Sequence, residues 1–160
     1  MNFIVLGLVL SLLAVLLQDL KFRKIHVVLP VLIFVFSLLI FNKTARLTPK
    51  IYVANALFFI IVLAFLILYM SLKNRKFINP FAHYFGLGDL LFFLAVTPLF
   101  VTYNYIVFFI FSMVFAIVLQ LLFKKTMQHQ TIPLAGFSAL LLLLLIAKDL
   151  LFSFNKITLL

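Results

Sequence analysis

The chain holds only three carboxylates, and two of them lie where an ionisable group is expensive to place. Asp19 sits in Gln18-Asp19-Leu20-Lys21-Phe22-Arg23-Lys24-Ile25, and Asp89 closes the run Gly86-Leu87-Gly88-Asp89. Each adjoins a long apolar stretch, a setting in which an ionisable side chain marks a functional candidate. Two carboxyls brought side by side cannot both ionise easily. One keeps a proton, and the other acts as general base on a water held between them. The protonated partner polarises a carbonyl, so the pair can hydrolyse an amide directly, without a covalent intermediate. That chemistry asks for no metal and no cofactor, and none is expected.

The glycines next to Asp89 have a physical part in this. Gly86 and Gly88 let the backbone turn sharply into the following span and let another segment come close. Asp89 then falls near a helix N-terminus, where the helix dipole favours an anion. This asymmetry makes Asp89 the base and Asp19 the acid.

The rest of the chain must position these two groups, and its composition says how. Of 160 residues 68% are hydrophobic and 10% charged, whereas a soluble domain carries about a quarter charged residues. The expected class is all-α: a polytopic membrane bundle of about six transmembrane helices, with residues 1–160 forming one domain. The apolar runs are too long for the alternating strands of a membrane barrel. They cover residues 2–20, 26–42, 51–72, 87–102, 104–123 and 132–152. The fourth is short and contains Thr97-Pro98, which predicts a kink. The sixth opens at Ile132-Pro133, and proline suits a first helical turn. The first run lacks the charged start and small-residue end of a signal peptide, so it reads as a retained span. No cysteine is present, which excludes disulfides, thiol catalysis and Cys-ligated zinc. The net charge is +10, but the basic residues cluster between apolar runs and fit loops held against anionic lipid rather than nucleic acid.

Charge also sets the orientation. Lys21, Arg23, Lys24, Lys73, Arg75, Lys76, Lys124 and Lys125 follow odd-numbered spans, and Lys43, Arg46, Lys50, Lys148 and Lys156 lie on the other side. Eight against five favours those odd loops in the cytoplasm and both termini outside. Whichever way the chain is inserted, counting spans puts Asp19 and Asp89 on one side of the membrane and Asp149 on the other. Asp149 beside Lys148 reads as an interfacial ion pair. His26, His83 and His129 share the side of the two aspartates, yet no pair has helical ligand spacing, so no metal site is expected. Gln18, Asn55 and Gln120 are expected to hydrogen-bond within the bundle.

With these residues in view, the chain resembles the type IV prepilin peptidase and preflagellin peptidase family, membrane aspartyl proteases with a Gly-x-Gly-Asp motif. Asp19 followed by the basic residues Lys21, Arg23 and Lys24 and by Ile25 is similar to that family's first motif. Gly86-Leu87-Gly88-Asp89 matches the second, and Ile132-Pro133-Leu134-Ala135-Gly136-Phe137 is similar to the opening of its last helix. The chain departs from the family pattern at three places: His26-Val27 follows Ile25, Leu90-Leu91-Phe92-Phe93 follows Asp89, and no Gly-Pro continues the last motif.

The resemblance implies an aspartic-type endopeptidase of the cytoplasmic membrane, with Asp19 and Asp89 catalytic. It also implies that the substrates are pilin-like or flagellin-like precursors carrying short basic leaders. Many bacterial members also methylate the new N-terminus through a region that often holds Cys-ligated zinc. Lacking cysteine and starting at its first span, this chain resembles the peptidase-only type, without methyltransferase activity. Two other readings stay open. One is a small proton- or cation-coupled transporter using the paired aspartates. The other is a catalytically silent relative of the peptidases.

Overall fold

The computed structural model describes residues 3–43, 48–74, 86–123, 132–151 and 157–159. Within them the fold is all-helical. α1 is Phe3–Phe22, α2 Val28–Lys43, α3 Lys50–Asn74, α4 Leu87–Ala95, α5 Thr102–Phe123 and α6 Leu134–Leu151, with a 3-10 turn at Thr97–Leu99. Four of these, α1, α3, α5 and α6, are long and apolar enough to cross a membrane. α2 is a shorter apolar helix.

The helices pack as a bundle in which α1 lies against both α2 and α6, and α6 also packs on α5. α4 is held between α2 and α6, and α3 reaches α5 and the 3-10 turn. Apolar side chains gain little from leaving lipid, so close packing between helices holds such a bundle together. The packing is partly aromatic. Phe59, Phe92, Phe93, Phe100 and Phe108 are fully buried. Phe93 meets Phe109 edge-on at 5.1 Å between ring centroids, and Phe100 stacks on Phe108 at 4.8 Å. Such pairs add roughly 0.5–1.5 kcal/mol each beyond burial. The Phe-rich stretches are therefore packing surface as well as lipid-facing surface.

The fourth span breaks rather than kinks. α4 has 9 residues and rises about 14 Å, half of the roughly 30 Å hydrocarbon thickness. Pro98, within the 3-10 turn, has no amide to continue the ladder. A broken helix at membrane depth is tolerated only if its freed carbonyls find donors within the protein. Here they do. Tyr105 Oη donates to Phe93 O at 3.0 Å, and Thr97 Oγ1 to Leu94 O at 2.8 Å. Asn55 Nδ2, from α3, donates to Thr97 O at 2.8 Å and to Phe100 O at 2.9 Å. The Leu159 amide donates to Leu99 O at 3.0 Å.

That last bond belongs to a clamp at the same end of the bundle. Asp149 pairs with Lys148 Nζ at 3.0 Å, as the sequence predicts, but its carboxylate is buried and does more. It accepts the amides of Ile157 and Thr158, at 3.0 and 2.7 Å, and the Thr158 hydroxyl at 2.7 Å. Asn104 Nδ2 donates to Ile157 O at 2.8 Å. Segment 157–159 is thus pinned beneath the short fourth span. Asn55 bonds within the bundle as expected. Gln120 does not show its expected bond: its Oε1 is buried with no partner among the described residues.

Candidate active site

Asp89 is the third residue of α4, and its position follows from the local chain. Gly86 is extended at φ −68°, ψ 140° and caps the helix. The Asp89 amide bonds back to Gly86 O at 3.0 Å, while Asp89 Oδ2 accepts the Gly86 amide at 3.2 Å. The carboxyl is thereby tied to the start of its own helix, as acidic residues in a first turn often are. Gly88 is bare because Ile25 fills its space: a Cβ there would lie 3.0 Å from Ile25 Cδ1 and 3.2 Å from Ile25 Cβ. This contact brings the α1–α2 connection against α4.

Asp19 lies at the last turn of α1 and is buried. The segment that follows is anchored to the same helix, because the His26 amide donates to Gln18 Oε1 at 3.1 Å. Gln18 thus ties the connecting loop rather than the bundle interior.

The two aspartates meet at the N-terminus of α6. The Ala135 amide donates to Asp89 Oδ1 at 2.8 Å, and the next amide, Gly136, donates to Asp19 Oδ2 at 2.7 Å. The first-turn amides of a helix have no partner within it. Here all of them are engaged. Pro133 has none, Leu134 N bonds Ile132 O at 3.0 Å, Ala135 and Gly136 take the aspartates, and Phe137 N begins the helical ladder on Pro133 O at 3.0 Å. The dipole of α6 points its positive end at both carboxyls. Glycine at 136 allows the close approach, since a Cβ would lie 3.1 Å from both Asp19 Cβ and Asp19 Oδ2 and Asp19 would have to give by a few tenths of an ångström.

The basic residues of the first motif divide. Arg23 is half-buried, and its charge acts on both Asp19 and Asp89. Lys21 and Lys24 are exposed, and the Lys21 ammonium lies over its neighbour Phe22, 5.1 Å from the ring centroid. His26 is exposed, and His83 and His129 lie outside the described residues. No cluster of three or more potential metal ligands occurs among the described residues.

Two backbone groups central to the site, the amides of Ala135 and Gly136, have no role in the sequence reading beyond membership of the Ile132–Phe137 run. A signal for them exists. A glycine in the first turn of a helix weakens that helix, so its presence after Ile132-Pro133 points to a close contact. Asp149 lies apart from the dyad, in the clamp with Ile157 and Thr158. What the arrangement offers chemically is two carboxyls from separate helices, held by adjacent amides and sharing one nearby cation.

Comparison of the chain with family models, with curated proteins and with solved structures finds no match in any of the three.

Proposed function

We propose that this chain is a membrane aspartyl endopeptidase that removes basic leader peptides from pilin-like or flagellin-like precursors, as the prepilin and preflagellin peptidases it resembles do. One observation carries the reading: two acids 70 positions apart in sequence, Asp19 and Asp89, hang from the consecutive amides of Ala135 and Gly136. A lone interfacial acid needs no such arrangement, whereas a dyad sharing one proton does.

The roles follow from the hydrogen bonds. Both oxygens of Asp89 accept backbone amides, which suits the carboxylate form and the part of base. Asp19 carries the shared proton and acts as acid. Asp89 takes a proton from the bound water as the water oxygen bonds to the scissile carbonyl carbon. Asp19 gives its proton to the carbonyl oxygen, producing a tetrahedral diol. In collapse, one hydroxyl proton returns to Asp19 and Asp89 passes its proton to the nitrogen. The C–N bond then breaks, leaving an acid on the leader and an amine on the mature chain. Both aspartates end as they began.

The substrate's apolar helix lies in the bilayer and its basic leader in the cytoplasm, the side assigned by the charge bias. At the cut the peptide is extended, because a helix ties up its scissile carbonyl in its own ladder.

The test is cleavage by purified protein in detergent, with no ion gradient, of a precursor bearing a basic leader before an apolar helix. Mass spectrometry should find the free leader, and Asp19→Asn and Asp89→Asn should each leave the precursor intact. Cleavage by either variant would exclude the two-aspartate mechanism. Gradient-dependent proton or cation flux, with no cleavage, would transfer the dyad to a carrier.

A further inference from the structure

α1 ends in an unusual backbone. Arg23 has φ 54°, the one positive φ at a non-glycine residue among those described. The left-handed region costs a residue with a Cβ roughly 1–2 kcal/mol, and helix ends that need it usually take glycine or asparagine. The turn itself is real, because the Arg23 amide closes it on Asp19 O at 3.2 Å. What is not required by the turn is a long cationic side chain at that position. Strained backbone of this kind persists where surrounding structure holds it, and it clusters at functional sites.

The side chain shows what the turn achieves. Of the three basic residues after Asp19, Lys21 and Lys24 face outward, and Arg23 alone turns in, with its Nε and Nη1 buried. Its charge acts on Asp19 first and on Asp89 more weakly.

We propose that Arg23 is a positioning residue of the dyad: its guanidinium balances the one negative charge that the two aspartates share. This inference rests on the peptidase reading. In that mechanism the charge moves during attack from Asp89, which gains a proton, to Asp19, which loses one. A buried carboxylate without a compensating cation is costly. A fixed cation within reach of both carboxyls lowers the energy of the state before the transfer and of the state after it. The left-handed turn falls only four positions beyond Asp19, is closed on the Asp19 carbonyl, and holds the one basic residue of the three that is half-buried.

The experiment separates charge from backbone. Arg23→Gly relieves the left-handed strain and removes the guanidinium; Arg23→Lys keeps a charge without the planar fork. In the full chain in detergent, Arg23→Gly should melt at or above the temperature of the unaltered protein, yet its kcat on the precursor should fall roughly 10- to 100-fold. KM should be unchanged. Arg23→Lys should fall between the two, and added methylguanidinium should restore part of the Arg23→Gly rate. An Arg23→Gly variant that cleaves at full rate overturns the role of Arg23 and leaves the peptidase reading standing. So does a variant that loses activity together with thermal stability and is rescued by neither lysine nor methylguanidinium, because Arg23 is then a structural cap. If the unaltered protein cuts no precursor, the peptidase reading falls and the role of Arg23 falls with it.

Discussion

Gly136→Ala is the sharpest probe of how the dyad is held. The new methyl would sit 3.1 Å from Asp19 Cβ, 3.1 Å from Asp19 Oδ2 and 3.5 Å from Asp19 Cγ. Ordinary carbon contacts begin near 3.5 Å, so Asp19 must retreat by a few tenths of an ångström, about 0.4 Å on the van der Waals separations. It retreats from the amide that holds it, stretching the 2.7 Å bond between Gly136 N and Asp19 Oδ2. Two terms act on stability. Replacing glycine by alanine in a helix contributes up to about 1 kcal/mol, and overpacking costs about 1–3 kcal/mol. The net change is a loss of about 0–3 kcal/mol. Catalysis is less forgiving, since a misplacement of about 1 Å in an active site can cost 10²-fold. A shift of about 0.4 Å should therefore slow cleavage about tenfold, in kcat rather than KM. The assay is single-turnover cleavage of a precursor, read by gel or mass spectrometry beside a thermal melt. A Gly136→Ala protein that melts normally and cleaves at the unaltered rate would refute the claim that close approach at this glycine fixes Asp19.

Asn55→Leu should destabilise the bundle by about 2–4 kcal/mol, because the Thr97 and Phe100 carbonyls lose their donors in a dry setting; melting in detergent measures it, and an unchanged melt would mean that the broken span finds other partners. Asp149→Asn should keep most cleavage while lowering the melting temperature, since its clamp on Ile157 and Thr158 stands apart from the dyad; strong loss of activity in a fully stable protein would contradict that separation. The chain has no cysteine, so single cysteines report its topology directly. Cysteines near Asn74 and Gln128 should be shielded from impermeant thiol reagent in intact cells and one near Asn42 labelled; the reverse pattern would invert the orientation, and labelling of Asn74 and Gln128 from different sides would break the six-span plan.

Much of the fold was legible in the chain because hydrophobicity is local. The apolar run at 104–123 became Thr102–Phe123, and that at 132–152 became Leu134–Leu151, each needing only enough consecutive apolar residues to cross lipid. Span counting placed Asp19 and Asp89 together; Gly86 does stand at a helix start, but at φ −68°, ψ 140°, a conformation open to any residue, so glycine's freedom to turn is not what puts it there. Thr97-Pro98 announced a disruption, but a missing amide says only that a ladder bond is lost. Whether the helix bends or ends depends on donors elsewhere. Here Asn55, 42 positions earlier, and Tyr105, 12 positions after Phe93, supply them, so it ends.

The site divides in the same way. The sequence by itself determined which residues can form a carboxyl pair, because so apolar a chain has three acidic side chains in all. It also led to the expectation that two of them lie at the ends of apolar runs on a common side, and in the fold both meet the start of α6. Only the tertiary structure decided what holds them. Ala135 and Gly136 act through backbone amides, which every residue but proline possesses, so their chemistry leaves no mark in side-chain type. Nor does sequence separate Arg23 from Lys21 and Lys24, since all three are basic and adjacent. In the fold Arg23 alone takes a left-handed φ and is half-buried, while Lys21 and Lys24 are exposed. Side-chain chemistry is written residue by residue, but the partner of a carboxylate is set by which distant helix end the packing brings to it.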